Sequence, residues 1–108
     1  FSIERHKPLF IKTKALLKDL GIRATLFYGD GYAGQRSFGP FDKIIVTAAA
    51  PFIPQPLIDQ LAVNGLMIIP VGQGKQQTMT FLTKQEDGSI TKQEKGAFSF
   101  VPMLENKA

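Results

Sequence analysis

Two acidic residues follow predicted strands, where an open parallel sheet binds its ligands. Glu4 ends the extended segment 1–4, and Asp30 lies between Gly29 and Gly31, after a predicted strand at 24–28. A carboxylate at such a strand end can accept two hydrogen bonds from a ribose diol. The glycines let the backbone turn sharply, so the Asp30 carboxylate could accept a hydrogen bond from an adenine amino group while the Gly31 N–H donates to a ring nitrogen. These positions indicate a nucleoside site.

Each carboxylate also has a purely structural interpretation. Glu4 precedes a predicted helix, whose N-terminus favours a nearby negative charge. Gly-Asp-Gly is also the sequence of an ordinary tight turn. His6 is interpreted as a surface residue at the start of the helix. From these residues alone, both interpretations of Glu4 and Asp30 stay open.

The other strand ends carry no acid–base or nucleophile–base pair. The small residues of Thr47–Pro51 indicate either a ligand passing close or tight helix–strand packing. Gly72-Gln73-Gly74 resembles a phosphate cradle, but it leads into a polar segment rather than the helix N-terminus that binds phosphate. Methyl transfer from a sulfonium donor fits this inventory, because it can proceed mainly by positioning two reactants.

Alternating helices and strands are predicted to position these residues. A helix is predicted from Pro8 to Gly21, because apolar residues recur at a spacing of three to four, Pro8 suits a first turn and Gly21 suits a helix end. A short helix is predicted at 54–61, and strands at 43–47 and 66–72. The continuous apolar run at 43–47 predicts a strand buried on both faces.

The last third of the chain is predicted to be rich in β-structure. Residues 77–85 alternate in polarity, Asp87-Gly88 forms a tight turn, and residues 89–94 return. A separate final strand is predicted at 97–103. Together with the preceding alternation, this pattern predicts an α/β fold with a mainly parallel sheet and an antiparallel edge.

Composition excludes several classes of protein. The 108 residues include no cysteine and one histidine, so disulfides, thiolate metal sites and thiol nucleophiles are excluded. The net charge of +4 comes from scattered Lys and Arg residues, which argues against a nucleic-acid partner. No apolar run approaches the roughly 18 residues of a membrane-spanning helix. The expected location is the cytoplasm.

In combination, these segments resemble the protein-L-isoaspartate (D-aspartate) O-methyltransferase family. The most specific of them are the run Phe41-Asp42-Lys43-Ile44-Ile45-Val46-Thr47-Ala48-Ala49-Ala50-Pro51 and the later Phe100-Val101-Pro102. The supporting segments are Ser2 to Arg5, Gly29 to Gly31, Ile53-Pro54 with Leu57 to Leu61, and Gly65 to Gly72. They cover nearly the whole chain in the order of the family.

The resemblance implies a Rossmann-like class I methyltransferase fold. It also implies methyl transfer from S-adenosylmethionine to the α-carboxyl of L-isoaspartyl residues in damaged proteins, whose ester then collapses to a succinimide. By position, Glu4 and Arg5 would bind the donor's ribose and adenosine, and Asp30 and Gly31 the adenine. Ala48 and Val101 would lie near the substrate peptide. No residue is assigned a catalytic role.

The same resemblance predicts that residues 1–108 form the C-terminal portion of a single methyltransferase domain. The family's glycine-rich loop, its first strand and a serine-containing segment would precede Phe1. Met103 and Leu104 stand where relatives often carry a threonine. Without the first strand two strand edges lack a partner, so we expect the isolated chain to bind the donor poorly and to self-associate.

Two alternatives remain from the sequence. One is another nucleoside-cofactor enzyme on the same fold, either a different class I methyltransferase or a nicotinamide-dependent oxidoreductase, since both cofactors present a ribose diol to Glu4. The other is a binding or folding fragment without activity. The glycines around Asp30 and the alanines after Thr47 favour the isoaspartyl methyltransferase.

Overall fold

A computed structural model describes residues 1–107 of the chain. They form two compact units, one of residues 1–34 with 104–107, and the other of residues 35–103. In chain order the elements are β1 (Ser2–Glu4), α1 (Lys7–Asp19), β2 (Leu26–Tyr28), a 3-10 turn (Arg36–Phe38), β3 (Phe41–Ile45), α2 (Gln55–Asp59), β4 (Leu61–Val71), β5 (Gln77–Lys84) and β6 (Ile90–Phe98).

Helix α1 begins and ends on the signals predicted from the sequence. Pro8 lies in the first turn, where its missing N–H leaves no helical hydrogen bond unmade. Gly21 follows the helix with a φ of 71°. Its N–H donates to the carbonyl oxygen of Lys18 (3.1 Å), and the Ile22 N–H donates to that of Leu17 (2.9 Å). This pair of bonds is a Schellman motif, which satisfies the last carbonyls of the helix.

In the first unit, β1 and β2 form a two-stranded parallel sheet. Ser2 pairs with Leu26 and Glu4 with Tyr28. The strand predicted at 24–28 is confirmed, although it begins at Leu26. The two strands therefore end side by side, at Glu4 and Tyr28.

The second unit contains a four-stranded sheet in the order β3-β4-β5-β6. Strands β3 and β4 pair in parallel, whereas β5 and β6 add in antiparallel fashion. The predicted combination of parallel strands with an antiparallel edge is confirmed. Helix α2 is shorter than the predicted 54–61, because residue 61 already begins β4.

The core of this unit lies on one face of its central strands. Alternate residues of β4, Met67 and Ile69, are fully buried together with Leu82 of β5 and Leu57 of α2. Burying such a side chain contributes about 1.5–3 kcal/mol. Gly65 lies at the bulge where β4 turns into this register, packed against backbone with no room for a side chain.

The prediction that the strand at 43–47 is buried on both faces is wrong. Strand β3 ends at Ile45, and the Ile45 side chain is 71% exposed. Among the described residues β3 pairs only with β4. Ile44 packs against the core of this unit, whereas the opposite face, which carries Ile45, is largely uncovered by the described residues.

The prediction of a separate final strand at 97–103 is also wrong. Strand β6 runs without interruption from Ile90 to Phe98, through a register shift opposite Thr78 and Thr80. Gly96 lies at this bulge with a φ of 95°. Because glycine adopts this backbone at little cost, the hairpin continues where the pattern predicted a break.

Candidate functional site

The two predicted nucleoside-binding carboxylates lie at one edge of the first unit. Glu4 and Tyr28 are paired at the carboxyl ends of β1 and β2. The Gly29 N–H donates to the backbone carbonyl oxygen of Glu4 at 3.1 Å. Asp30 follows one residue later. The parallel register therefore brings together two acidic residues that are 26 positions apart in the sequence.

The Glu4 side chain contacts the start of α1. Its Oε1 atom accepts a hydrogen bond from the backbone N–H of His6 at 3.0 Å. His6 is the N-cap residue, and its own side chain makes no capping hydrogen bond. The Glu4 carboxylate thus satisfies a donor at the helix start, which is the structural role that the sequence left open. This role uses one of its two oxygens.

Asp30 organises a tight turn with one carboxylate oxygen. Its Oδ1 atom accepts a hydrogen bond from the Tyr32 N–H at 2.9 Å. Its backbone carbonyl accepts from the Ala33 N–H at 3.1 Å, and the Gly34 N–H reaches the carbonyl of Gly31 at 3.3 Å. The hydrogen bond to the Tyr32 N–H fixes the direction of the Asp30 side chain at the strand end.

Two carboxylates act on the Tyr32 phenol of this turn. The pKa of the Tyr32 phenol is raised, first by burial and then by the nearby Glu105 and Asp30 carboxylates. Both carboxylates oppose formation of a phenolate.

Residues near the end of the chain contact the same edge, which sequence reasoning missed. The Arg5 Nε–H donates to the backbone carbonyl oxygen of Asn106 at 2.9 Å. The Lys107 ammonium lies 5.0 Å from the centre of the Tyr28 ring, a cation–π contact. No local pattern could have revealed contacts between residues about a hundred or eighty positions apart.

The two predicted peptide-binding residues, Ala48 and Val101, lie in or next to one backbone ladder of the second unit. The Ala49 N–H donates to the carbonyl oxygen of Val101 at 2.7 Å, and the Met103 N–H donates to that of Ala49 at 2.7 Å. Ala48 immediately precedes this ladder, and Val101 is 71% exposed. The structure therefore brings Ala48 and Val101 close together.

Small side chains are needed at Ala49 and Ala50 because this segment runs between two other backbone segments. On the other side, the Ala50 N–H donates to the carbonyl oxygen of Pro70 (2.9 Å), and the Gly72 N–H donates to that of Ala50 (2.8 Å). Ala49 and Ala50 are buried between these backbones. The segment is thus tightly packed, but between two extended backbones rather than between a helix and a strand as predicted.

A cavity of about 260 Å³ opens beside this ladder. No charged side chain lines it; the lining residues are Ala49, Pro51, Gly72, Gln73, Gly74, Gln77, Phe100, Pro102 and Met103. The Gly72-Gln73-Gly74 segment forms one wall and leads into strand β5, so it lacks the helix that a phosphate cradle needs. Sequence reasoning gave Gln77 no role, although it is buried in this lining.

Comparison with known proteins agrees with this architecture. A putative protein-L-isoaspartate O-methyltransferase of Plasmodium falciparum, solved in complex with S-adenosyl-L-homocysteine, superposes with a TM-score of 0.81 at 28% identity, over 94% of this chain and 50% of that one. Another solved protein-L-isoaspartate O-methyltransferase gives a TM-score of 0.85 at 25% identity, over 93% of this chain and 32% of that one. The fold is thus that of a Rossmann-like methyltransferase.

The sequence comparisons define the family. The model of the protein-L-isoaspartate (D-aspartate) O-methyltransferase family matches residues 1–108, and the chain belongs to this family. A protein-L-isoaspartate O-methyltransferase of Cytophaga hutchinsonii is 50% identical over 104 residues, which are 96% of this chain and 47% of that protein. One of Flavobacterium psychrophilum is 49% identical over 108 residues, 99% of this chain and 50% of that protein. The chain spans about half the length of these relatives.

Proposed function

We propose that this chain is part of an enzyme that transfers a methyl group from S-adenosylmethionine to the α-carboxyl of L-isoaspartyl residues in damaged proteins. The observation that carries the proposal is the family match over the whole of residues 1–108. The names of the relatives support the reaction, and the S-adenosyl-L-homocysteine in the Plasmodium falciparum protein supports the donor.

We assign the adenosine part of the donor to the edge formed by β1 and β2. The second oxygen of Glu4 would accept hydrogen bonds from the ribose diol, while Oε1 holds the helix start. Asp30 and the Gly31 N–H would bind the adenine, and Arg5 would flank the adenosine. The paired strand ends and the position of the Asp30 carboxylate in the following turn support this assignment.

The peptide would bind in the second unit, beside Ala48 and Val101. The adjacent cavity has room for a side chain and no charged lining group. Val101 is exposed directly after Phe100 and next to the Ala49 ladder, so it is available to an extended peptide.

The residues of this chain would accelerate the reaction by positioning. When bound, S-adenosylmethionine supplies a methyl group activated by the sulfonium. The adenosine-binding edge would hold this donor, and the region of Ala48 and Val101 would hold the peptide so that an isoaspartyl α-carboxylate oxygen faces the methyl group. The carboxylate is already deprotonated, so the step requires no general base. This agrees with the absence of a predicted acid–base pair at the strand ends.

Three further assignments accompany this function. Residues 1–108 would be part of one methyltransferase domain. The protein would work in the cytoplasm; among the described residues, no helix is long and apolar enough to cross a membrane. The isolated chain would self-associate, because β3 has one open edge and exposes Ile45 beside it.

A segment exchange tests the function. In the chimera, this chain replaces the segment that it matches in the Cytophaga hutchinsonii relative. Methyl transfer from labelled S-adenosylmethionine is measured with an isoaspartyl peptide and its normal aspartyl counterpart, with Asp30→Ala as a site variant. The proposal expects labelling of the isoaspartyl peptide and weakened donor binding by the variant. Donor binding without isoaspartyl labelling would refute the substrate, and loss of donor binding by the unsubstituted chimera would refute the cofactor site.

A further inference from the structure

The Gln77 side chain is a buried polar group in the wall of the cavity. It lies at the start of β5 and is 2% exposed. Its Nε2 atom donates a hydrogen bond to the carbonyl oxygen of Gly74 at 2.9 Å. Its Oε1 atom accepts a hydrogen bond from the Phe100 N–H at 2.8 Å. One amide therefore joins two segments of the cavity lining, one that contains Gly74 and one that contains Phe100.

Each segment lies outside the strands and is held at one end by backbone hydrogen bonds, residues 101 and 103 to Ala49 and residue 72 to Ala50. Residues 72–76 connect β4 to β5, and residues 99–103 follow the end of β6. Apart from Gln77, a hydrogen bond from the exposed Ser99 hydroxyl to the Lys75 carbonyl joins them, at 2.8 Å. A buried bond is less open to competition from water than this exposed one, so the Gln77 amide is the stronger constraint.

The loop is shaped to lie against Gln77. A side chain at Gly72 would place its Cβ 3.3 Å from the Gln76 carbonyl oxygen and 3.4 Å from the Gln77 Cα, and the φ of 141° also favours glycine. Glutamine has both a donor and an acceptor on one rigid amide. It can therefore satisfy the carbonyl of one wall and the N–H of the other at once, which an apolar side chain of the same size cannot do.

We propose that Gln77 is a positioning residue for the peptide substrate. By holding Gly74 and Phe100 at a fixed separation, it sets the width of the cavity beside Ala49, where the Val101 backbone is held by its hydrogen bond to Ala49. This inference rests on the proposed function for its substrate. Gln77 would shape the peptide site by holding two of its walls together, without contacting the methyl donor.

The test compares Gln77→Leu with Gln76→Leu in the chimera. Gln76 is the neighbouring exposed glutamine and does not line the cavity. We expect Gln77→Leu to raise the KM for the isoaspartyl peptide about tenfold, because the two walls are no longer held and peptide binding must order them. The kcat and the affinity for S-adenosyl-L-homocysteine should stay the same, as for loss of uniform substrate binding. Hydrogen exchange at the Phe100 amide should become faster. The control should change none of these values.

A second variant tests the two hydrogen bonds of Gln77 separately. Gln77→Glu keeps an acceptor for the Phe100 N–H but, when ionised, has no donor for the Gly74 carbonyl. We expect Phe100 to stay protected from exchange while the KM rises less than in Gln77→Leu. If Gln77→Leu is too unstable to assay, the KM of Gln77→Glu decides the question.

Other outcomes overturn the proposal. Faster exchange at Phe100 with an unchanged KM would mean that the constraint serves stability alone. A fall in kcat or in cofactor affinity equal to the change in KM would point to a general loss of structure. If the unsubstituted chimera does not methylate isoaspartyl peptides, the proposed function fails and the peptide role fails with it. The exchange measurement would then still show whether Gln77 fixes the two segments.

Discussion

Replacing Glu4 distinguishes its two roles, at the helix start and at the ribose. The hydrogen bond from the His6 N–H to Glu4 is 3.0 Å long. Glutamine at this position keeps a side-chain oxygen that can accept it but loses the negative charge. Alanine loses both. The variants Glu4→Gln and Glu4→Ala therefore separate a structural contribution from a cofactor contribution at one position.

The size of each effect follows from the type of hydrogen bond. Loss of a helix-capping contact costs about 0.5–2 kcal/mol, so Glu4→Ala should lower the unfolding free energy by roughly 1 kcal/mol and Glu4→Gln by much less. Hydrogen bonds to a charged group contribute about 1.5–3 kcal/mol, against about 0.5–1.5 for neutral ones. Two ribose bonds that become neutral would lose about 2 kcal/mol together, which corresponds to roughly a 30-fold rise in the dissociation constant.

Calorimetric titration of the chimera with S-adenosyl-L-homocysteine measures this constant, and thermal unfolding measures the stability. Glu86→Gln is the matched control, because it removes a charge from an exposed position in the turn between β5 and β6. We expect both Glu4 variants to bind S-adenosyl-L-homocysteine more weakly than the unsubstituted chimera. Only Glu4→Ala should show a clear loss of stability. If Glu4→Gln binds the ligand like the unsubstituted chimera, Glu4 is a helix-start residue and the ribose assignment is wrong.

Two further predictions concern packing and association. Gly65→Ala should lower the unfolding free energy of the chimera by about 1–3 kcal/mol, because the new Cβ would lie 2.7 Å from the carbonyl oxygen of Ala62 and 3.0 Å from that of Asp42; an unchanged melting temperature would contradict this packing. The isolated chain should elute in light-scattering chromatography as a species larger than its 11.9 kDa monomer, because the open edge of β3 is available to a second copy. A monomer that binds S-adenosyl-L-homocysteine would refute that expectation.

The elements that could be predicted from the sequence are those with local signals. Pro8 and Gly21 bound helix α1 because the first restricts φ and the second adopts a positive φ. Glu4 and Asp30 could be expected at one edge because parallel strands end at the same side of a sheet. The turn at Asp87 and Gly88 formed as predicted, with the Asp87 carboxylate accepting hydrogen bonds from Ser89.

The features that could not be predicted depend on distant partners. An apolar run does not reveal whether both faces of a strand are covered, so the burial of β3 was overestimated. A bulge can carry a strand past a glycine, as Gly96 does in β6. The contacts of Gln77 with Gly74 and Phe100, and of Arg5 with Asn106, form only when the chain has folded. From their residue types alone, Gln77 and Arg5 could equally have been exposed.

The central claim is that this chain supports isoaspartyl-selective methyl transfer. The most direct measurement is the ratio of label incorporated by the chimera into an isoaspartyl peptide to that incorporated into its aspartyl counterpart, as a base-labile ester. The account predicts labelling of the isoaspartyl peptide alone, and weaker labelling at limiting donor when Asp30 is replaced by alanine. Equal labelling of both peptides, or none with the donor bound, would contradict it.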